Sequence, residues 1–237
     1  MTDKASVNEL RKHFDGDVER FSDEQKGQET IVDAPLVLGM VEESIRCMNP
    51  DAQDLCDIGC GGGNYSIRIA RKLPKLAITL VDLSEEMLQR ARYRLEAEGV
   101  VVRKTIQDDI RNIVFKPGSF DIVVASASLH HLRSHEDWLL VFRNVFESLR
   151  PGGSFWICDI VKHENPEIEA IQRRRYAEFL IGLRDKAFQE MIFEMIERCD
   201  TPETISFQMQ TLHDVGFRDI DVVHKNMLFF AMAARKF

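Results

Sequence analysis

The residues best placed to do chemistry sit in one short run, DLCDIGCGGGNYS, where Asp57 is followed by glycines at 59, 61, 62 and 63 and a helix begins near Asn64. Glycines there permit positive φ and let a ligand approach the main chain closely. The amides at the start of the following helix can meet an anionic ligand group. The dinucleotide spacing G-x-G-x-x-G fails in both registers, ending on Asn64 from Gly59 and on Ser66 from Gly61, and no Gly-Lys-Ser/Thr follows. What remains is D-x-G-x-G-x-G. An acid at that point repels a pyrophosphate but suits a ligand that carries an ammonium and a sulfonium.

A second acid, Asp82, closes the run LAITLVD 23 residues after Gly59. An acid at the end of the second strand, roughly 20 residues on, accepts hydrogen bonds from both ribose hydroxyls. Ser84 can cap the next helix, with Glu85 and Glu86 in its first turn. Met87 is expected to face back toward the same pocket, where it can pack on an adenine.

His130 and His131 follow the fourth apolar run, the place where open α/β sheets carry chemistry. Either could act as a general base near neutral pH, or be a packed or loop histidine. The basic run Arg173-Arg174-Arg175, with Arg184 and Lys186, could receive an anion. Its interleaving with Glu178 and Glu190 fits a solvated helix face better. Phe179, Leu180, Leu183, Phe188, Met191, Ile192, Met195 and Ile196 form an apolar face on the same stretch. That face reads as core or pocket lid, with a dimer surface as the other option, so a monomer and a homodimer both stay open.

The elements that must position these groups are legible as a rhythm. Short apolar runs (DLCDIG, LAITLVD, VVRKTIQ, FDIVVASA, GSFWICDIV) alternate with helical stretches (NYSIRIARKL, SEEMLQRARYRLEAEG, HEDWLLVFRNVFESLR). Such alternation predicts right-handed βαβ units and a parallel sheet. Pro151-Gly152-Gly153 is expected to stop one helix and turn into the fifth strand. RDIDVVHK and MLFFAMAARK, joined at Asn226, predict a terminal antiparallel hairpin. The expected fold is a Rossmann-like, doubly wound α/β sheet of seven strands, mostly parallel. Residues 1–32, anchored by Phe14, Val18 and Phe21, read as a docking segment or flap, and 33–237 as one domain with a helical cap inserted at about 164–199.

Bulk properties set outer bounds. A net charge of −8 over 237 residues disfavours salt-driven nucleic-acid binding, so nucleic acid is not the expected partner. Five scattered cysteines without a CxxC pair predict neither a disulfide framework nor a zinc site, and no metal is expected. The polar, charged N-terminal stretch has no apolar signal core, and no run of about 18 apolar residues occurs, so a cytoplasmic protein without a membrane span is expected.

The ordered set DIGCGGG, VDLSEEML, QDDI, FDIVVASASLHHL and LRPGGSFWICDIV resembles the class I S-adenosylmethionine (SAM)-dependent methyltransferases over about residues 50–162. The resemblance implies SAM as methyl donor, S-adenosylhomocysteine as product and a small-molecule acceptor. It implies that Asp57 and the loop of Gly59, Cys60, Gly61 and Gly63 hold the methionine part, and that Asp82 holds the ribose. Leu83 and Met87 would flank the adenine. Asp109 or its neighbour Asp108 would bond the adenine amino group, with Ile110 giving a main-chain contact and Ser126 lying near the sulfonium. Methyl transfer needs chiefly alignment, so a dedicated base is optional. The chain ends, FDGDVERF and DTPETISFQMQTLHDVGFRDIDVVHKN, are loosely similar to carboxy-SAM synthases. Those enzymes read an extra carboxylate with a basic residue, whereas the corresponding stretch here, FQEMIFEMIE, is acidic. A synthase of that kind, or a tRNA-modifying enzyme using the same SAM site, is the alternative.

Overall fold

The computed structural model describes residues 4–24 and 26–237. Its core is one seven-stranded sheet. In chain order the strands are β1 (Asp54–Ile58), β2 (Ala77–Asp82), β3 (Val101–Gln107), β4 (Phe120–Ser126), β5 (Leu149–Ile160), β6 (Arg218–Asn226) and β7 (Phe229–Arg235), and across the sheet they run β3-β2-β1-β4-β5-β7-β6. The first five pair in parallel, and β7 pairs antiparallel with both β5 and β6. The expected doubly wound fold with its antiparallel C-terminal pair is therefore present.

Strand side chains alternate between two packed layers, as the two-residue period of a strand requires. Leu55, Ile122, Val124 and Trp156 face a core shared with α3 (Ala34–Met48), α4 (Asn64–Lys72) and α5 (Glu85–Ala97). Cys56, Ile58, Val123, Ala125, Phe155 and Ile157 face the opposite core, shared with α6 (His135–Ser148) and α9 (Ile205–Val215). β2 is buried along its whole length, as a parallel strand covered on both faces must be. The edge strand β3 is largely exposed and carries Arg103 and Lys104. The chain leaves β1 toward β2 and β3, then returns to β4 on the other side. That reversal opens a crevice beyond the C-terminal ends of β1 and β4.

A third cluster lies over this edge. Between β5 and α9 come α7 (Pro166–Leu183) and α8 (Lys186–Cys199), whose Tyr176, Leu180, Ile192 and Ile196 pack with Val32, Ile160 and Leu228. Before α3, the N-terminal segment forms α1 (Val7–Asp15) and α2 (Val18–Ser22). Residues 1–3 and 25 lie outside the described residues. No helix among the described residues is long and apolar enough to cross a membrane.

Two boundaries differ from the sequence reading. Pro151-Gly152-Gly153 does not stop α6, which ends at Ser148; it lies inside β5. Phe120 pairs with Leu149 but Ile122 pairs with Ser154, so the extra residues bulge out of the ladder, with Gly152 at φ +82°. The C-terminal hairpin turns at Met227-Leu228, because Asn226 is still paired with Phe229 as the last residue of β6.

Candidate active site

The glycine loop is stapled to the neighbouring strand. The amides of Gly59 and Cys60 both donate to Val81 O, at 2.8 and 3.0 Å. Gly59 has φ +66°, and a Cβ there would lie 2.4 Å from Ser128 Cβ, so only glycine fits. Gly62 has a different reason for lacking a side chain: Ser22 of α2 presses on it, 2.5 Å from the position of a Cβ.

Two buried acids flank the loop. Asp82 accepts from the amides of Gly61 (2.8 Å) and Ser84 (2.9 Å). Asp57 accepts from Ser66 Oγ at 2.6 Å. Burial penalises the charge of both, lifting Asp57 to about 7 and Asp82 to about 6 against the usual 3.8. Each is held at a fixed position by protein donors, and both residues line one cavity of about 300 Å³. These residues fit SAM: carboxylates that are costly to bury are stabilised by an ammonium and by ribose hydroxyls, and Gly61, with nothing within 4 Å of its Cβ position, leaves the loop open to the methionine part.

Asp57, Gly59, Cys60, Gly61, Asp82, Leu83, Met87, Asp108, Asp109, Ile110, Ser126, His130 and His131 all line that cavity. Gly63 does not. It caps α4 at φ +83° and packs against Ala91 of α5, so its place in the motif serves the helix start. Asp109 is tied to Arg111 by Nε at 3.0 Å and Nη2 at 2.5 Å, which holds its carboxyl below the ordinary range although burial opposes this. Asp108 accepts from Asn112 Nδ2 at 2.9 Å and from the Asp109 amide at 2.7 Å.

The other end of the cavity is assembled from distant segments. The short helical turn Leu129–His131 follows β4 and presents both histidines. His130 Nδ1 bonds Asp159 Oδ1 at the end of β5, and its Nε2 lies 3.5 Å from Asp200 Oδ1, just past α8. Burial works against the charge on His130, but the Asp159 and Asp200 carboxylates outweigh it and raise the imidazole to about 9. Burial, and then the neighbouring His130, push His131 well below its usual value. His131 Nδ1 is 3.3 Å from Cys199 O and 3.5 Å from Asp200 Oδ1, while its Nε2 has no partner among the described residues.

The N-terminal helices close this end. Leu10, Phe14 and Phe21 line the cavity opposite Ile192, Met195 and Ile196 of α8. Asn64 donates to Phe21 O (3.1 Å), the Ala5 amide to Arg198 O (2.9 Å), and Arg133 to Ala5 O (3.1 Å). The segment thus ties the glycine loop to the cap.

Sequence reasoning missed Asp159 and Asp200. An acid inside the apolar run WICDIV was the available signal for Asp159, since an unpaired charge there would be costly. Asp200 gave none, because its partners lie some 70 residues away in the chain.

Residues 55–153 match the family model for a methyltransferase domain. YqeM of Bacillus subtilis is 35% identical over 105 residues, covering 44% of this chain and 41% of that protein. The chain therefore spans about two fifths of that relative's length. A carboxy-SAM synthase of Chromohalobacter salexigens is 28% identical over 187 residues, covering 76% of this chain and 67% of the synthase. Among solved structures, the CurJ carbon methyltransferase superposes with a TM-score of 0.67 at 15% identity, over 98% of this chain and 61% of that one, a likeness of fold. With this fold, the acid-flanked glycine loop and the matched stretch together, residues 55–153 are similar to a methyltransferase domain, and the chain shares the fold of the SAM-dependent methyltransferases.

Proposed function

We propose that this chain transfers the methyl group of SAM to a small molecule held between the N-terminal helices and the α7–α8 pair. The observation that carries the reading is the placement of Asp57 and Asp82 on either side of the glycine loop, in one cavity with the histidine turn. Bound SAM supplies a methyl group on a sulfonium, which a nucleophile takes as the C–S electron pair returns to sulfur.

The chain's own groups do the rest. Asp57 balances the ammonium, Asp82 accepts from the ribose hydroxyls, and Leu83 and Met87 pack on the adenine. Asp109, or Asp108, accepts from the adenine amino group beside the Ile110 main chain, and Ser126 stands at the mouth of the acceptor side. His131 lines the cavity with a free Nε2 and receives the acceptor's proton. Both helix groups are already tied together around the site, which excludes water and favours a small molecule over a polynucleotide.

Carboxy-SAM synthesis is the second reading, motivated by a relative that matches over three quarters of the chain. That chemistry wants a free cation beside the extra carboxylate. Among the described residues lining the cavity, each arginine is already engaged: Arg20 with Asp17, Arg111 with Asp109 and Asp137, and Arg133 with Cys199 O, Ala5 O and Thr201 Oγ1. The α8 wall, Ile192, Met195 and Ile196, is apolar. These pairings favour methyl transfer.

Mass spectrometry of the ligand carried through purification, followed by incubation with SAM and a panel of phenols, carboxylic acids and amines, tests the proposal. SAM or S-adenosylhomocysteine on the protein, and new S-adenosylhomocysteine formed with an acceptor, are expected. A bound ligand heavier than SAM by one CO2 would overturn methyl transfer in favour of the synthase.

A further inference from the structure

We propose that His130 Nε2, His131 Nδ1 and Asp200 Oδ1 form a binding site for one divalent transition-metal ion of the zinc or cobalt type, at the acceptor end of the cavity. The first support is distance. Both imidazole nitrogens lie 3.5 Å from the same carboxylate oxygen. That is too long for N–H···O hydrogen bonds, which run about 2.7–3.2 Å. It matches the edge of a tetrahedron around an ion with bonds of about 2.1 Å, which is roughly 3.4 Å. The three residues bring their ligand atoms within 4.8 Å of one another.

The donor set is the second support. Two imidazoles and one carboxylate suit zinc, cobalt or iron(II), and three protein ligands leave a coordination position open. All three residues line the cavity, from which an ion they held would be reached.

The shell behind the ligands is the third. His130 Nδ1 is bonded to Asp159, whose carboxylate is itself fixed by the amides of Leu129 (2.9 Å), His130 (3.3 Å) and Ile160 (2.7 Å). A carboxylate on Nδ1 keeps a proton on that nitrogen, so an ion would displace only the Nε2 proton of His130 and bind there, the usual arrangement behind a metal-bound histidine. The Thr201 amide donates to His130 O at 2.6 Å, which locks the segment bearing Asp200 against the histidine turn. The nearby cations do not compete for the Asp200 carboxylate. Lys4 is bonded to Glu197 O and Asp200 O, and Arg133 to Cys199 O, Ala5 O and Thr201 Oγ1.

An ion here would take the lone pair of His131 Nδ1, so the proton that Nδ1 shares with Cys199 O at 3.3 Å would sit on Nε2 instead. His131 would then no longer act as the base; the ion would acidify a bound acceptor oxygen, whose proton would pass to solvent. The site stands on its own geometry and not on the SAM reading.

The test uses the full chain, stripped with a chelator and titrated with Co2+ while the visible ligand-field bands are recorded, with Zn2+ added in competition and elemental analysis of the product. One ion per chain is expected, with bands of a four- or five-coordinate cobalt that Zn2+ abolishes. His131→Ala and Asp200→Asn should lose affinity by at least about 100-fold, and Asp159→Asn by about 10- to 100-fold. His135→Ala, a mostly exposed histidine outside the cluster, should bind like the parent. S-adenosylhomocysteine titration of every variant reports whether it is folded. A parent protein that binds S-adenosylhomocysteine but takes up no cobalt overturns the metal site, as does uptake unchanged in both His131→Ala and Asp200→Asn. Cobalt uptake without S-adenosylhomocysteine binding would leave the metal site standing and remove the SAM reading.

Discussion

The two ends of the cavity are built in different ways. At the cofactor end, Asp57 to Gly63 and Asp82 to Met87 come from adjacent parallel strands and the turns after them, joined by main-chain hydrogen bonds across β1 and β2. At the acceptor end, Asp159 on the neighbouring strand β5 fixes the histidine turn after β4, while Asp200 and the helices α1 and α2 join it from remote parts of the chain. The first end inherits the rigidity of the sheet. The second adds Asp200 and the helices α1 and α2 to a histidine turn that Asp159 already fixes at the end of β5.

If that division is right, variants at the two ends separate binding from turnover. The largest expected effect is Gly59→Val, which forces a side chain into Ser128 at a positive φ. Calorimetry should show S-adenosylhomocysteine binding abolished and the fold weakened by roughly 2–4 kcal/mol. His131→Ala should lower turnover by about 100-fold while S-adenosylhomocysteine affinity stays within about twofold, which steady-state kinetics and calorimetry check together. Comparable losses in both would show the ends to be one unit.

Asp57→Asn sharpens the comparison from the cofactor side. The amide can still accept from Ser66, but it cannot balance an ammonium, so affinity should fall about 10- to 30-fold. The same change should raise the Tm of the ligand-free protein by roughly 2–4 °C. The sign follows from linkage. An acid whose folded value rises from 3.8 to about 7 favours folding while protonated, and that contribution disappears as pH climbs through the folded value. Scanning calorimetry at pH 7.5 decides it.

The smallest effect is the pH dependence of binding. The ligand needs the ionised acid, so S-adenosylhomocysteine affinity should rise by about tenfold from pH 6 to 8 and then level off. In Asp57→Asn that slope should flatten.

The same division explains what the sequence discloses. The sheet and the proposed donor site are legible because strand runs alternate with capped helices, and because the acids and glycines sit close together in the chain. Gly63 misleads, since a glycine that starts a helix looks the same in sequence as one that faces a ligand. Pro151-Gly152-Gly153 misleads likewise, since a bulge inside β5 uses the residues that stop helices elsewhere. The acceptor end is hidden for a physical reason. Asp200 gains its meaning only when the end of α8 meets the turn after β4, a contact that no local periodicity encodes.

The central claim is that Asp82 holds the ribose of SAM beside the glycine loop. Titration of Asp82→Ala with S-adenosylhomocysteine, against the parent protein and with circular dichroism to confirm the fold, tests it most directly. Two hydrogen bonds to a charged acceptor lost together should weaken binding by about 100-fold or more. A folded Asp82→Ala protein that binds S-adenosylhomocysteine as tightly as the parent would contradict the account.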